Sequence, residues 1–98
     1  MDKERILEIL RAHEAELRAS GLIHLRLFGS VARGESRPDS DVDLMAEFDQ
    51  SKPLTLLTLS QHQYRLEDLL GAQVDLSQPE AMYPKIRARA LAEAVLAF

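Results

Sequence analysis

"FGSVARGESRPDSDVDLMAEFD", residues 28–49, decides the reading of this chain. A Gly-Ser pair follows an apolar segment, and Asp41 and Asp43 stand one residue apart at the start of the next. In a strand, residues two apart share a face, so these two acids project together while Val42, Leu44, Ala46 and Phe48 anchor the other side. Met45, Glu47 and Asp49 fall on the acids' face. Carboxylates held side by side raise one another's pKa unless a cation sits among them.

Working outward, Ile23, Leu25 and Leu27 alternate with His24 and Arg26, which predicts a strand ending at Gly29-Ser30. Residues 30–35 suit a short helical turn before the Arg37-Pro38-Asp39 loop. Upstream, Ile6, Ile9, Leu10, His13 and Leu17 lie at helical spacing, predicting one helix over 3–19 stopped by Ser20-Gly21. Downstream, Pro53 suits the first turn of a long helix, with Leu56, Leu59, Gln63, Leu66 and Leu70 inward and Gly71 as its stop. Gln73–Ser77 reads as a short strand with Asp75 outward between Val74 and Leu76. Pro79 and Pro84 precede a last helix whose stripe is Ile86, Ala90, Leu91, Ala94 and Val95. The expected class is α/β (α+β): a small mixed sheet flanked by helices in the order α-β-α-β-α-β-α.

Composition narrows the function. Ninety-eight residues, 46% hydrophobic and 29% charged, fit one small globular domain over 1–98. A formal net charge of -4 argues against general binding to a nucleic-acid backbone. The chain has no cysteine, which rules out disulfides and thiolate metal sites and suits a cytoplasmic setting. The charged beginning, MDKERILEIL, is no signal-peptide core, and no segment is long and apolar enough for a membrane span.

If the strands carrying Asp41, Asp43 and Asp75 are neighbours with matching faces, three carboxylates converge. Oxygen-only ligands of this kind suit Mg²⁺, which is usually shared with substrate phosphates. Gly29-Ser30 supplies the complementary part. Glycine at a strand-to-helix turn lets a phosphate approach the backbone amides, and Ser30 adds a hydroxyl donor. Asp39, Glu47 and Asp49 read as solvated acids. Two other motifs fail. GSVARGES (29–36) lacks the P-loop lysine, with Glu35 in its place. Asp39, Asp41 and Asp43 imitate the start of an EF-hand, but Leu44 replaces its turn glycine and Gln50 its final glutamate.

"GSVARGE", "SDVDLMAEF" and "GAQVDL" together resemble the Gly-Ser, Asp-x-Asp and third-acid motifs of the DNA polymerase β-like nucleotidyltransferase superfamily. More narrowly, the chain resembles the minimal nucleotidyltransferase antitoxins that pair with HEPN-domain toxins. The resemblance runs from the N-terminal helix to "RARALAEAV", and all five motif positions match. It implies that Gly29 and Ser30 bind nucleotide phosphates, and that Asp41, Asp43 and Asp75 hold metal. Two-metal chemistry then fits: one Mg²⁺ orients the triphosphate, another lies among the three acids, and Asp75 helps take the acceptor's proton. The resemblance further implies ATP as donor and a tyrosine of a HEPN toxin as acceptor. A small-molecule (antibiotic-type) nucleotidyltransferase and a non-catalytic antitoxin that only masks its partner stand as alternatives.

Arg33 could reach a phosphate from the short helix or pair with Glu35 or another acid. Arg87 and Arg89 could meet phosphate or partner, or form a solvated face. His13, His24 and His62 show no ligand spacing and read as structural. Tyr64, Met82, Tyr83 and Phe98 read as core or partner-facing. A chain this short leaves little for a lid or acceptor pocket, so a partner protein or a second copy should supply it. Leu54, Leu57 and Tyr64 exceed one core stripe: they either face that partner or pack beneath the last helix.

Overall fold

The structure, a computed structural model, describes residues 2–35 and 37–98; Met1 and Ser36, the last residue of the near-P-loop stretch, lie outside them. Its elements in chain order are α1 (Lys3–Ala12), α2 (Glu14–Ala19), β1 (Leu22–Phe28), α3 (Gly29–Ala32), β2 (Val42–Phe48), α4 (Leu56–Leu70), β3 (Val74–Ser77), a 3₁₀ turn (Pro79–Ala81), α5 (Pro84–Glu93) and β4 (Val95–Leu96). The sheet order is β3-β2-β1-β4. β1 is antiparallel to both neighbours and β2 runs parallel to β3, so the sheet is mixed as expected.

Alternation sets the layers. Leu25, Leu27, Val42, Leu44, Ala46 and Val74 point to one face, where Ile6, Leu7, Leu10, Leu17, Leu66 and Leu70 from the helices cover them in one apolar cluster. Burying each leucine there contributes about 1.5–3 kcal/mol. The opposite face is not wholly wet. Met45, between Asp43 and Glu47, is fully buried and Ala90 of α5 is buried, and both lie outside the main cluster.

The predicted first helix is two helices. The His13 ring, with Nδ1 donating, takes the Ile9 carbonyl at 2.9 Å, and the backbone at His13 leaves helical geometry at φ -107° and ψ 16°. Periodicity alone cannot show this, because the apolar spacing continues across the break. The long helix also begins later than Pro53 suggests. Thr55 caps it and exchanges hydrogen bonds with Thr58, and Leu56 is 85% exposed rather than inward. Only Leu66 and Leu70 of α4 are buried, so its first half overhangs the sheet. Gly71 ends it in the left-handed conformation, φ 64°, as expected.

The largest departure is at the C-terminal end. Of the predicted last stripe only Ala90 is buried; Ile86 and Leu91 are exposed. The helix stops at Glu93, Ala94 is extended, and Val95–Leu96 pair with β1 as a fourth strand absent from the expected order. β1's free edge supplies unpaired backbone groups, and pairing outweighs the helical tendency of an Ala-rich segment. Arg11 secures this end with hydrogen bonds to the Leu96 and Ala97 carbonyls, both 2.9 Å, and Phe98 is buried beneath the Arg18 guanidinium.

Candidate active site

Two elements meet at the end of the sheet where β1 stops and β2 starts. Parallel pairing puts Asp43 directly opposite Asp75, so the two side chains share a face on strands about 4.8 Å apart. Antiparallel pairing puts Asp43 opposite Phe28, and the chain turns at Gly29 with φ +76°. That turn brings the Gly29 Cα against the Asp43 carboxylate: a Cβ there would lie 2.1 Å from Asp43 Oδ2. Glycine is required here by both backbone angle and space. Ser30 follows in the single turn of α3, whose preceding residue offers no side-chain cap to the first amides.

Asp41 lies just before β2 and is exposed; Asp75 is exposed and Asp43 half-buried. Asp43 shows the electrostatic effect of the arrangement. Burial pushes its carboxyl above the ordinary value, and Asp75 and Asp41 push it further the same way. Arg33 opposes them, and Glu93 adds to the rise. The charges of Asp41 and Asp75 thus both act on the Asp43 carboxyl. Among the described residues, however, no three His, Cys, Asp or Glu side chains already stand close enough to hold an ion. The donor set fits Mg²⁺ in kind: all oxygen, anionic and mutually repelling. The register of β2 and β3 already aligns two of the three, Asp43 with Asp75.

The remaining candidates separate cleanly. Arg33 is paired with both Glu35 and Glu93. Arg87 is half-buried and Arg89 exposed on α5, and among the described residues neither forms an ion pair. Of the histidines, His62 lies 5.0 Å from the Phe48 ring, where burial lowers its pKa, and His24 meets the Phe98 carbonyl. A groove of about 340 Å³, lined by Phe48, Lys52, Leu54, Thr58, His62 and Arg65, opens at the far end of β2. Its lining residue Phe48 is five residues along β2 from Asp43, roughly 17 Å away, so the groove belongs to a different surface. Glu93 was not anticipated. It is sixty residues from Arg33 in the chain and belongs to no motif, so only the packing of α5 against α3 reveals it.

A nucleotidyltransferase domain model matches residues 3–97, and this chain belongs to that family. It is 40% identical over 93 residues to the protein adenylyltransferase MntA of Thermococcus cleftensis, covering 94% of this chain and 92% of that one. A solved minimal nucleotidyltransferase superposes with a TM-score of 0.74 at 42% identity, over 97% of this chain and 95% of the other. At 16% identity and a TM-score of 0.65, the same fold occurs in a complex of tri-AMPylated Shewanella oneidensis HEPN toxin with MNT antitoxin, with 94% and 71% covered. The chain is a nucleotidyltransferase.

Proposed function

We propose that this chain transfers AMP from ATP to a tyrosine hydroxyl of a partner HEPN protein and so acts as its antitoxin. The observation that carries this reading is the meeting of Gly29 with Asp43, and of Asp43 with Asp75, at one end of the sheet. The Gly29-Ser30 turn receives the triphosphate: close backbone approach comes from Gly29, and a hydroxyl donor from Ser30. Asp41, Asp43 and Asp75 hold Mg²⁺ ions, which when bound neutralise the phosphates and lower the pKa of the acceptor hydroxyl. Asp75, exposed and directly opposite Asp43, takes the proton as the hydroxyl attacks the α-phosphorus. Pyrophosphate leaves. The adenylyltransferase name of the Thermococcus relative and the AMPylated toxin complex support this choice of donor and acceptor.

The test is label transfer from α-³²P-ATP with the purified partner. Label on the partner, lost on tyrosine substitution, is the expected result. No label, with the partner toxin still inhibited, would leave only masking; label on an antibiotic instead would point to a small-molecule enzyme. Ser30→Ala should slow transfer by about ten-fold, the value of one hydrogen bond to a charged group, because neighbouring amides remain.

Partner association should be separable from turnover. Leu57 and Tyr64 are 68% and 69% exposed and Leu54 sits at the groove's rim, so these residues do not pack beneath the last helix. Replacing Leu57 and Tyr64 by Glu should weaken partner binding by at least about ten-fold, with turnover at saturating partner unchanged. Loss of binding in Asp43→Asn but not in these variants would make the acidic face the main interface.

A further inference from the structure

Arg33 ends the one-turn helix α3, and its guanidinium is gripped from two sides. Nε donates to Glu35 at 3.0 Å, while one terminal amino group donates to both oxygens of Glu93 at 3.1 and 3.2 Å. A guanidinium presents five N–H donors in a rigid plane. Among the described residues, its second terminal amino group has no hydrogen-bond partner. The two acids are not equivalent. Glu35 is 65% exposed and close in sequence, whereas Glu93 is only 26% exposed and closes α5. The Arg33 amide donates to the Gly29 carbonyl at 3.1 Å, and Gly29 abuts the Asp43 carboxylate, so the pair lies beside the acid cluster.

A long side chain on a single helical turn has little packing to fix it, and an unheld arginine has many rotamers to lose on binding a ligand. A freed Arg33 would stand on the turn whose Gly29 abuts Asp43, one of the acids proposed to hold the cation. A carboxylate on a ten-residue helix, reaching across from α5, removes both problems. We propose that Glu93 is a positioning residue that pins Arg33 beside the Gly29-Ser30 turn and keeps it off Asp43, so that its open amino edge meets the nucleotide's phosphates. This rests on the reading above that the turn receives a nucleoside triphosphate. It also gives α5 a direct link to nucleotide binding, although α5 contributes little to the core.

The test is calorimetric titration of the full chain with Mg²⁺–AMP-PNP, alongside steady-state kinetics. Glu93→Gln should raise Kd and the KM for nucleotide by about ten-fold, with kcat at saturation within about two-fold and the melting temperature little changed. Arg33→Lys, which loses the planar fork, should do the same. The double variant should be no weaker than either single one, because both remove the same unit. Unchanged Kd in Glu93→Gln, losses that multiply in the double variant, or a loss confined to kcat or melting temperature would each overturn the role. A wild-type chain that binds no nucleotide overturns this inference and the triphosphate reading together. Tight wild-type binding without label transfer overturns only the acceptor assignment, and the Kd comparison still decides the role of Glu93.

Discussion

Asp43→Asn should lower nucleotide transfer by at least about 1,000-fold while making the metal-free protein more stable than wild type. The two effects have one cause. Asp43 is the acid squeezed between burial, Asp75 and Asp41, and its carboxyl is raised above the ordinary 3.8. Such a position is costly unless a cation is present, which is what a ligand position requires. On the metal-holding role proposed for Asp43, its loss forfeits several kcal/mol of charge stabilisation, and each 1.4 kcal/mol is ten-fold in rate. Asp41→Asn should abolish transfer as well.

The stability effect has a defined sign. Because the native carboxyl binds its proton more tightly than the unfolded one, its charge destabilises the fold above the raised native pKa. That penalty shrinks as pH falls through this pKa and is gone below 3.8, where both states are protonated. Asp43→Asn should therefore melt a few degrees higher at pH 7, where ~1 kcal/mol moves a domain of this size by about 4–8 °C. The gap should close towards pH 4. Mg²⁺ should reverse the order at pH 7 by stabilising only the chain that binds it. Thermal melts across pH, with and without Mg²⁺, check this; equal transfer rates in wild type and Asp43→Asn would sink the metal assignment.

Gly29→Ala should separate activity from stability in the other direction. Its φ of +76° costs an alanine about 1–2 kcal/mol, or a melting temperature lower by roughly 10 °C. The new Cβ would also occupy space 2.1 Å from Asp43 Oδ2. Rotation moves that oxygen and the Cγ, which would lie at 2.9 Å, while the Asp43 Cβ at 3.1 Å needs a shift of only a few tenths of an ångström, so the protein still folds. Rotation takes the carboxylate out of line with Asp75, and transfer should fall by at least about 100-fold, as misplacement of a reacting constellation by an ångström does. Gly34→Ala is the control: its φ is also +76°, but a Cβ there meets nothing within 4 Å. It should cost similar stability and little activity. Comparable activity losses in both variants would show that backbone strain, not crowding of Asp43, is responsible.

Three of the sheet's four strands were legible in the sequence, together with the acids Asp43 and Asp75 they carry, because period-two alternation is a local property. Val42, Leu44 and Ala46 against Asp41 and Asp43 set strand, face and site candidates together, and a lone acid between Val74 and Leu76 repeats the pattern. Gly71 as a helix stop and Gly29 as a turn likewise follow from backbone chemistry at one residue. The burial of Met45 did not follow, since alternation marks its face as the polar one and cannot show that the 3₁₀ turn and α5 shelter part of it.

Composition and spacing therefore determined the strand pattern, the three carboxylates, the Gly-Ser turn and the family they resemble, all of which depend on neighbours within a few residues. Tertiary packing determined the rest. Pairing with the open edge of β1 turned Val95–Leu96 from helix into strand, and the overhang of α4 left Leu56 and Leu57 in solvent. The approach of α5 to α3 set Glu93 on Arg33 across sixty residues. Each of these contacts joins distant segments, and neither helical nor strand periodicity encodes which distant partner a side chain or an open backbone edge will meet.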